Sequence, residues 1–177
     1  MKKILINAEP LDRQQAGIHY YLSFLRKAFE LYFPDYPIEY LRESTEAISD
    51  RDIYMPALTT LRRDPYKHFV KIPAYVAAKK PDIYLELAHF GPFRLQRQTR
   101  KIVVIHDLTP LKYPAYHPYL SALAQKYFIG QCIRNADMVV ANSQNTQKDI
   151  ISFYPDAVDK TIFIYPHNFA NDLILPH

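Results

Sequence analysis

The sequence predicts a single α/β domain built on a doubly wound, parallel sheet, and three observations carry that expectation. Short apolar, β-branched runs recur along the chain, the clearest being Lys101-Ile102-Val103-Val104-Ile105, as expected of a strand buried on both faces. Between such runs lie segments whose apolar residues fall on one helical face, as do Ile18, Tyr21, Leu22, Leu25, Ala28, Phe29 and Tyr32. The two kinds of segment alternate, which is the pattern of parallel strands joined by crossover helices. At 177 residues, 49% of them hydrophobic, the chain has room for one such domain and enough apolar surface to pack it.

Residues 3–7 read as the first strand, followed by a loop over 8–16. The helix that starts near Gly17 is ended by Pro34 and Pro37. Residues 38–41 make a second strand. Residues 42–64 are polar and weakly patterned, and read as a mobile loop with at most one short helix. Residues 66–80 have helical composition, within which Pro73 must mark a kink or a helix start. Residues 82–87 read as a strand after Pro81, and 101–105 as an interior strand. A proline-bearing loop over 106–117 leads to Pro118, a good first residue for a helix over 119–136. Residues 138–142 form a strand, Ser143 or Asn145 caps a helix reaching Tyr154, and 161–165 form the last strand.

Composition removes several classes of function. The net charge is +4 and the pI about 9.0, but Lys and Arg are scattered, with the densest groups at Arg62-Arg63 and over 94–101. A nucleic-acid binder concentrates them along one stripe, so no nucleic-acid partner is expected. A basic surface remains compatible with phosphorylated sugars or an anionic membrane face. The single cysteine, Cys132, sits among Phe128, Ile129 and Ile133 and reads as a buried structural thiol, with no internal disulfide and no cysteine-based zinc site. No apolar run approaches the roughly 20 residues that cross a bilayer. The run after Lys2-Lys3 breaks at Asn7, Glu9 and Pro10 without a cleavage site, so a cytoplasmic location is expected. The fifteen tyrosines read mostly as core residues with a wet hydroxyl.

Missing motifs exclude more. Gly17, Gly91 and Gly130 are the only glycines, and neither a dinucleotide fingerprint nor a phosphate-cradling P-loop can be built from them. There is no G-x-S-x-G nucleophile elbow. The seven histidines show no helical i, i+4 pairing with a carboxylate, so no catalytic metal is expected. Asp50-Arg51-Asp52 matches a metal-binding D-x-D pair but lies in a polar segment, and reads as solvated loop charge.

Three motifs remain at the carboxyl ends of predicted strands, where ligands bind in this architecture. In Ala16-Gly17-Ile18-His19-Tyr20-Tyr21 a glycine opens a helix, whose unpaired N–H groups suit a diphosphate; a plain tight turn would look the same. Val103-Val104-Ile105-His106-Asp107-Leu108-Thr109-Pro110 delivers a His-Asp pair from a buried strand into a loop. A histidine there can donate, accept or titrate near neutral pH, or simply be held by backbone. Ala136-Asp137-Met138-Val139-Val140-Ala141-Asn142-Ser143 is a strand, a polar turn and a helix start, for which an ordinary N-cap also accounts.

In this order and spacing the three motifs resemble the N-terminal, Rossmann-like domain of family 4 glycosyltransferases of the GT-B type. Ala88-His89-Phe90-Gly91-Pro92 fits the loop before the His-Asp strand, and Ile162-Phe163-Ile164-Tyr165-Pro166-His167-Asn168 resembles the strand before the interdomain crossover. The likeness spans nearly the whole chain. It implies that residues 1–177 are the acceptor-side half of a GT-B fold, facing a C-terminal, donor-binding domain that these residues do not include. In the family that second domain carries a Glu-x7-Glu pair, and no such spacing occurs here.

The resemblance further implies a retaining transfer of a sugar from a nucleotide-sugar donor to a glycan, lipid-linked or other acceptor, as in polysaccharide biosynthesis. The nucleotide-sugar is a substrate, and no metal or separate cofactor is expected. Gly17 and Ile18 correspond to the turn that approaches the donor diphosphate, and His106 to the histidine beside the reacting sugar. Asp107 would order the loop, with Ser143 and Asn168 on the cleft rim. The enzyme would be cytoplasmic, including a location peripheral to a membrane, and this half alone inactive. Two departures stand out: Tyr20 occupies the position where many members carry arginine, and His167-Asn168-Phe169 replaces a Pro-Asn-Gly-Val-like stretch. The alternative from another class is a non-catalytic Rossmann-like binding or scaffold module.

Overall fold

A computed structural model describes residues 1–12, 16–56, 66–87, 91, 95, 97–113 and 119–165, and the statements below concern these. Seven strands form one sheet: β1 (Ile4–Asn7), β2 (Ile38–Arg42), β3 (Asp52–Tyr54), β4 (Ile83–Glu86), β5 (Arg100–Ile105), β6 (Met138–Ala141) and β7 (Thr161–Phe163). Every pairing is parallel, in the order β3-β2-β1-β4-β5-β6-β7. The chain builds outward from β1 to β3, then returns to the other side of β1 and builds outward again. The topological switch point therefore lies between β1 and β4, and the carboxyl ends of those two strands frame the crevice of a doubly wound sheet.

Side chains alternate across the sheet, and the core divides accordingly. On one face Ile6, Leu85, Val104 and Val140 pack against Leu22 of α2 (Ala16–Tyr32), with Tyr21, Leu25 and Phe29 of the same helix against them. On the other face Leu5 and Tyr84 meet Ile72 and Val76 of α3 (Ile72–Lys79). Further along that face Val103 and Val139 meet Ile129, Cys132 and Ile133 of α5 (Tyr119–Arg134) and Ile150 of α6 (Gln144–Phe153). The run at 101–105 is interior, between β4 and β6, because its β-branched side chains are covered on both faces. Cys132 is buried, as its apolar neighbours predict.

Several expectations need correction. The segment from Arg42 onward is not simply a loop: Arg42 ends β2, and residues 52–54 pair with it as an edge strand. Residues 57–64 lie outside the described residues. Asp52 is not solvated. Its carboxylate lies between two guanidinium groups, at 2.8 Å from Arg26 and 3.0 Å from Arg42, with the Ile48 amide donating to it at 2.7 Å. A carboxylate so occupied holds the sheet edge to α2, and burial, which would raise its pKa, is outweighed by these donors, which lower it.

Lys101, at the end of the basic group over 94–101 and the start of the interior strand, is buried where that strand passes through the core. The tyrosines are less interior than expected. Tyr40 and Tyr84 are fully buried, but Tyr20, Tyr32, Tyr66 and Tyr127 are among those exposed, because they fall on helix faces turned from the sheet. The loop over 8–16 contains a one-turn helix, α1 (Glu9–Asp12), and the loop after β5 contains another, α4 (Thr109–Lys112). Pro73 lies in the first turn of α3, in a helical run that is unbroken from the preceding residues. A π-helical turn over Lys67–Lys71 stands directly before α3. No helix among the described residues is long and apolar enough to cross a membrane.

Candidate functional site

The carboxyl ends of β1, β4, β5 and β6 bring the candidate residues to one rim. At the switch point Asn7 ends β1 and Glu86 ends β4, both fully buried. The Asn7 amide donates to both carboxylate oxygens of Glu86, at 3.1 and 3.2 Å, and the Tyr84 hydroxyl donates to Oε2 at 2.9 Å. Burial first, and the neighbouring Glu86 carboxylate second, push the Tyr84 hydroxyl well above its usual pKa, so it remains a donor. Asn7 Oδ1 accepts from the Glu9 amide at 3.3 Å and so shapes the turn into α1.

His106 follows β5 and is partly buried. Its Nε2 lies 3.2 Å from the carbonyl oxygen of Leu87, the residue after Glu86. A carbonyl only accepts, so Nε2 carries the proton and Nδ1 is the acceptor nitrogen of the neutral ring. Burial lowers the imidazole pKa below its usual 6.5, more than the Leu87 bond and the Asp107 charge raise it, so the ring is neutral at pH 7. Its face is met edge-on by Tyr21, with centroids 5.4 Å apart. Tyr21 stands one helical turn after Gly17, so the start of α2 and the end of β5 share this rim.

Gly17 lies in the first turn of α2 and is exposed. A Cβ placed on it would meet nothing within 4 Å. Residues 13–15, directly before this helix, lie outside the described residues. Ile18 beside it is half-buried. Asp107 is exposed, and its Oδ1 accepts from the Thr109 amide at 3.0 Å, fixing the turn that opens α4. Ser143 caps α6: its Oγ accepts from the Thr146 amide at 3.0 Å. The Thr146 hydroxyl lies 3.2 Å from the His106 carbonyl and 3.0 Å from Asn142 Oδ1, which ties the β5 and β6 ends together. Asn168 and His89 lie outside the described residues.

Sequence reasoning missed Asn7, Tyr21, Glu86 and Thr146, and with them Glu9, Lys67 and His68. Lys67 Nζ reaches Glu9 at 2.9 Å and Glu43 at 2.6 Å, and His68 Nε2 stands 3.1 Å from Glu9. A lone acidic residue inside the apolar run 83–87 was the available signal for Glu86, since an interior strand buries a carboxylate only against partners.

The model of Glycosyltransferase Family 4 matches residues 21–166. His106, Asp107 and Ser143 lie within that range, whereas Gly17, Ile18 and Asn168 fall just outside it. No curated protein matches the chain. With the match running over most of its length, and a parallel doubly wound sheet beneath it, the chain belongs to glycosyltransferase family 4.

Proposed function

We propose that this domain is the acceptor-side half of a retaining glycosyltransferase, which moves a sugar from a nucleotide-sugar donor to a glycan, lipid-linked or other acceptor. A second, C-terminal domain supplies most contacts to the donor across a cleft. One observation carries the reading: His106, at the end of β5, stands against the first turns of α2, whose Gly17 faces open space. Family membership supports a transferase module; the donor, the acceptor and the stereochemistry are parts of the proposal.

In such a transfer positive charge develops at the anomeric carbon and negative charge on the departing diphosphate. The start of α2 meets the diphosphate at Gly17 and Ile18, where missing side-chain bulk lets oxygen atoms reach backbone N–H groups. A donor aimed at developing negative charge is worth about 3 kcal/mol of transition-state stabilisation when removed by mutation. Neutral His106, held by the Leu87 carbonyl, lies beside the reacting sugar and orients its ring. Asp107 and Ser143 hold the loops on either side. The transfer needs no metal or separate cofactor, and takes place on the cytoplasmic side, at a membrane surface where the acceptor is lipid-linked.

Residues 1–177 alone bind such a donor weakly. A solvent-exposed helix-end contact contributes about 0.3–1 kcal/mol, against the roughly 8 kcal/mol that micromolar affinity requires. Calorimetric titration of the chain with UDP- and GDP-sugars tests this, and micromolar binding would refute it. In the two-domain enzyme, His106→Ala should lower kcat strongly with the fold intact; wild-type turnover would show that His106 is only structural.

A further inference from the structure

At the switch point two strands are tied by side chains where their backbone ladder stops. The parallel pairing of β1 with β4 runs to Ile6 and Leu85, and that of β4 with β5 to Glu86 and Val103. The next pair in the first register is Asn7 and Glu86. Both are 0% exposed, and the Asn7 amide donates to both oxygens of the Glu86 carboxylate. The Tyr84 hydroxyl, two residues back along β4, donates to Oε2. Leu87 follows one residue past the ladder, and its carbonyl oxygen accepts from His106 Nε2 at 3.2 Å.

For stability alone a carboxylate here is a poor choice. Taking it out of water is costly, and apolar residues of similar volume commonly stabilise a core as well or better. Lys101, buried on β5 and in register with Tyr84, is one cation whose charge Glu86 offsets. That relation accounts for a carboxylate on this face. It does not call for the donors from Asn7 and Tyr84, which fix where the carboxylate stands and bind the end of β4 to the end of β1. A satisfied buried network imposes one arrangement on the backbone that carries it. Here that backbone leads, within one residue, to the carbonyl that decides which imidazole nitrogen of His106 holds the proton.

We infer that Glu86 is a positioning residue, which acts through its bonds to Asn7 and Tyr84 to hold the end of β4, and with it the Leu87 carbonyl, where it fixes the tautomer and plane of His106. This role for Glu86 rests on the reading of His106 given under the proposed function, which places the ring beside the reacting sugar.

The imidazole nitrogens report this directly when the full 177-residue chain is labelled with 15N-histidine and held at about pH 8, where the ring is neutral. Among the seven histidines, the signals of His106 are those lost in His106→Gln. In the wild type the Nδ1 and Nε2 shifts should lie far apart, with the proton on Nε2. Glu86→Gln sets an amide against the Asn7 amide. Tyr84→Phe removes one donor and keeps the Glu86 charge. Each variant should draw the two His106 shifts together, as the proton divides between the nitrogens. Each should also lower kcat of the two-domain enzyme about two- to tenfold, the worth of one hydrogen bond. Ile38→Ala removes core packing at the amino end of β2 and should lower stability with the His106 shifts unchanged. If Glu86→Gln does not fold, Tyr84→Phe decides, since it deletes a single hydroxyl. Folded variants with wild-type His106 shifts would overturn the inference. Altered shifts with unchanged turnover would uphold the positioning of the ring and refute instead the role of His106 in the transfer.

Discussion

The rings of Tyr21 and His106 meet edge-to-face, with centroids 5.4 Å apart and planes 87° apart. One residue belongs to the helix after the first strand and the other to the end of an interior strand beyond the switch point. Their contact couples the two pieces of the rim. An edge-on aromatic pair contributes about 0.5–1.5 kcal/mol beyond the area it buries, enough to hold the imidazole plane. The same ring is fixed at Nε2 by the Leu87 carbonyl, so its orientation is set before any ligand arrives.

Gly17→Ala separates a binding role from a structural one. A Cβ there meets nothing within 4 Å, so the fold should be unchanged or more stable by about 0.4–1 kcal/mol, through the lower entropy of the unfolded chain. Donor turnover by the two-domain enzyme should nevertheless fall, because the methyl group occupies the space where phosphate oxygens approach. Thermal unfolding and steady-state kinetics measured on the same variant check both halves. Equal turnover would leave Gly17 as an ordinary helix start.

Asp107→Asn should lower the pKa of His106 further. Burial already holds it below 6.5, and the Asp107 charge is one of the two influences that raise it. Because the folded-state pKa is the lower one, the stability contributed by neutral His106 is fully present above pH 6.5. It is lost as pH falls through the folded-state value. NMR titration of the imidazole Cε1 proton in both proteins measures the shift. Since Asp107 is exposed, the difference should shrink in high salt.

Asp52→Ala should destabilise the domain by about 3–5 kcal/mol, the usual cost of removing one partner from a buried ion pair. It takes one carboxylate from both Arg26 and Arg42, each at most 6% exposed, and leaves them Glu30 and Asp12. Urea denaturation gives the loss. A change below about 1 kcal/mol would mean that Glu30, Asp12 and water satisfy both guanidinium groups without it.

Glu9→Gln should remove part of the acid sensitivity of the fold. Burial raises the Glu9 pKa, but His68 and Lys67 lower it more, taking it from 4.5 to about 2. A depressed carboxylate contributes stability above its unfolded pKa, and that contribution is lost as pH falls from about 4.5 toward 2. Its size is on the order of 3 kcal/mol. The gap in unfolding free energy between wild type and Glu9→Gln should therefore narrow over that window. A gap independent of pH would show that the carboxylate is not ionised in the native state.

The sequence by itself determined what depends on local pattern. The alternation of strands and helices, the interior place of 101–105, and a cap at Ser143 or Asn145 follow from periodicity or from a side chain reaching its own helix end. These interactions span a few residues, so neighbours in sequence suffice to specify them. The place of His106 at the carboxyl end of an interior strand was legible for a related reason. The tertiary structure alone decided the rest. Asn7 and Glu86 are 79 positions apart, and they meet only because β4 lies beside β1. Glu9 finds Lys67 and His68, and Asp52 finds Arg26 and Arg42, through the order of strands and the winding of a π-helical turn. A charged residue looks alike in sequence whether water or a buried partner satisfies it; only the packing of distant elements settles which.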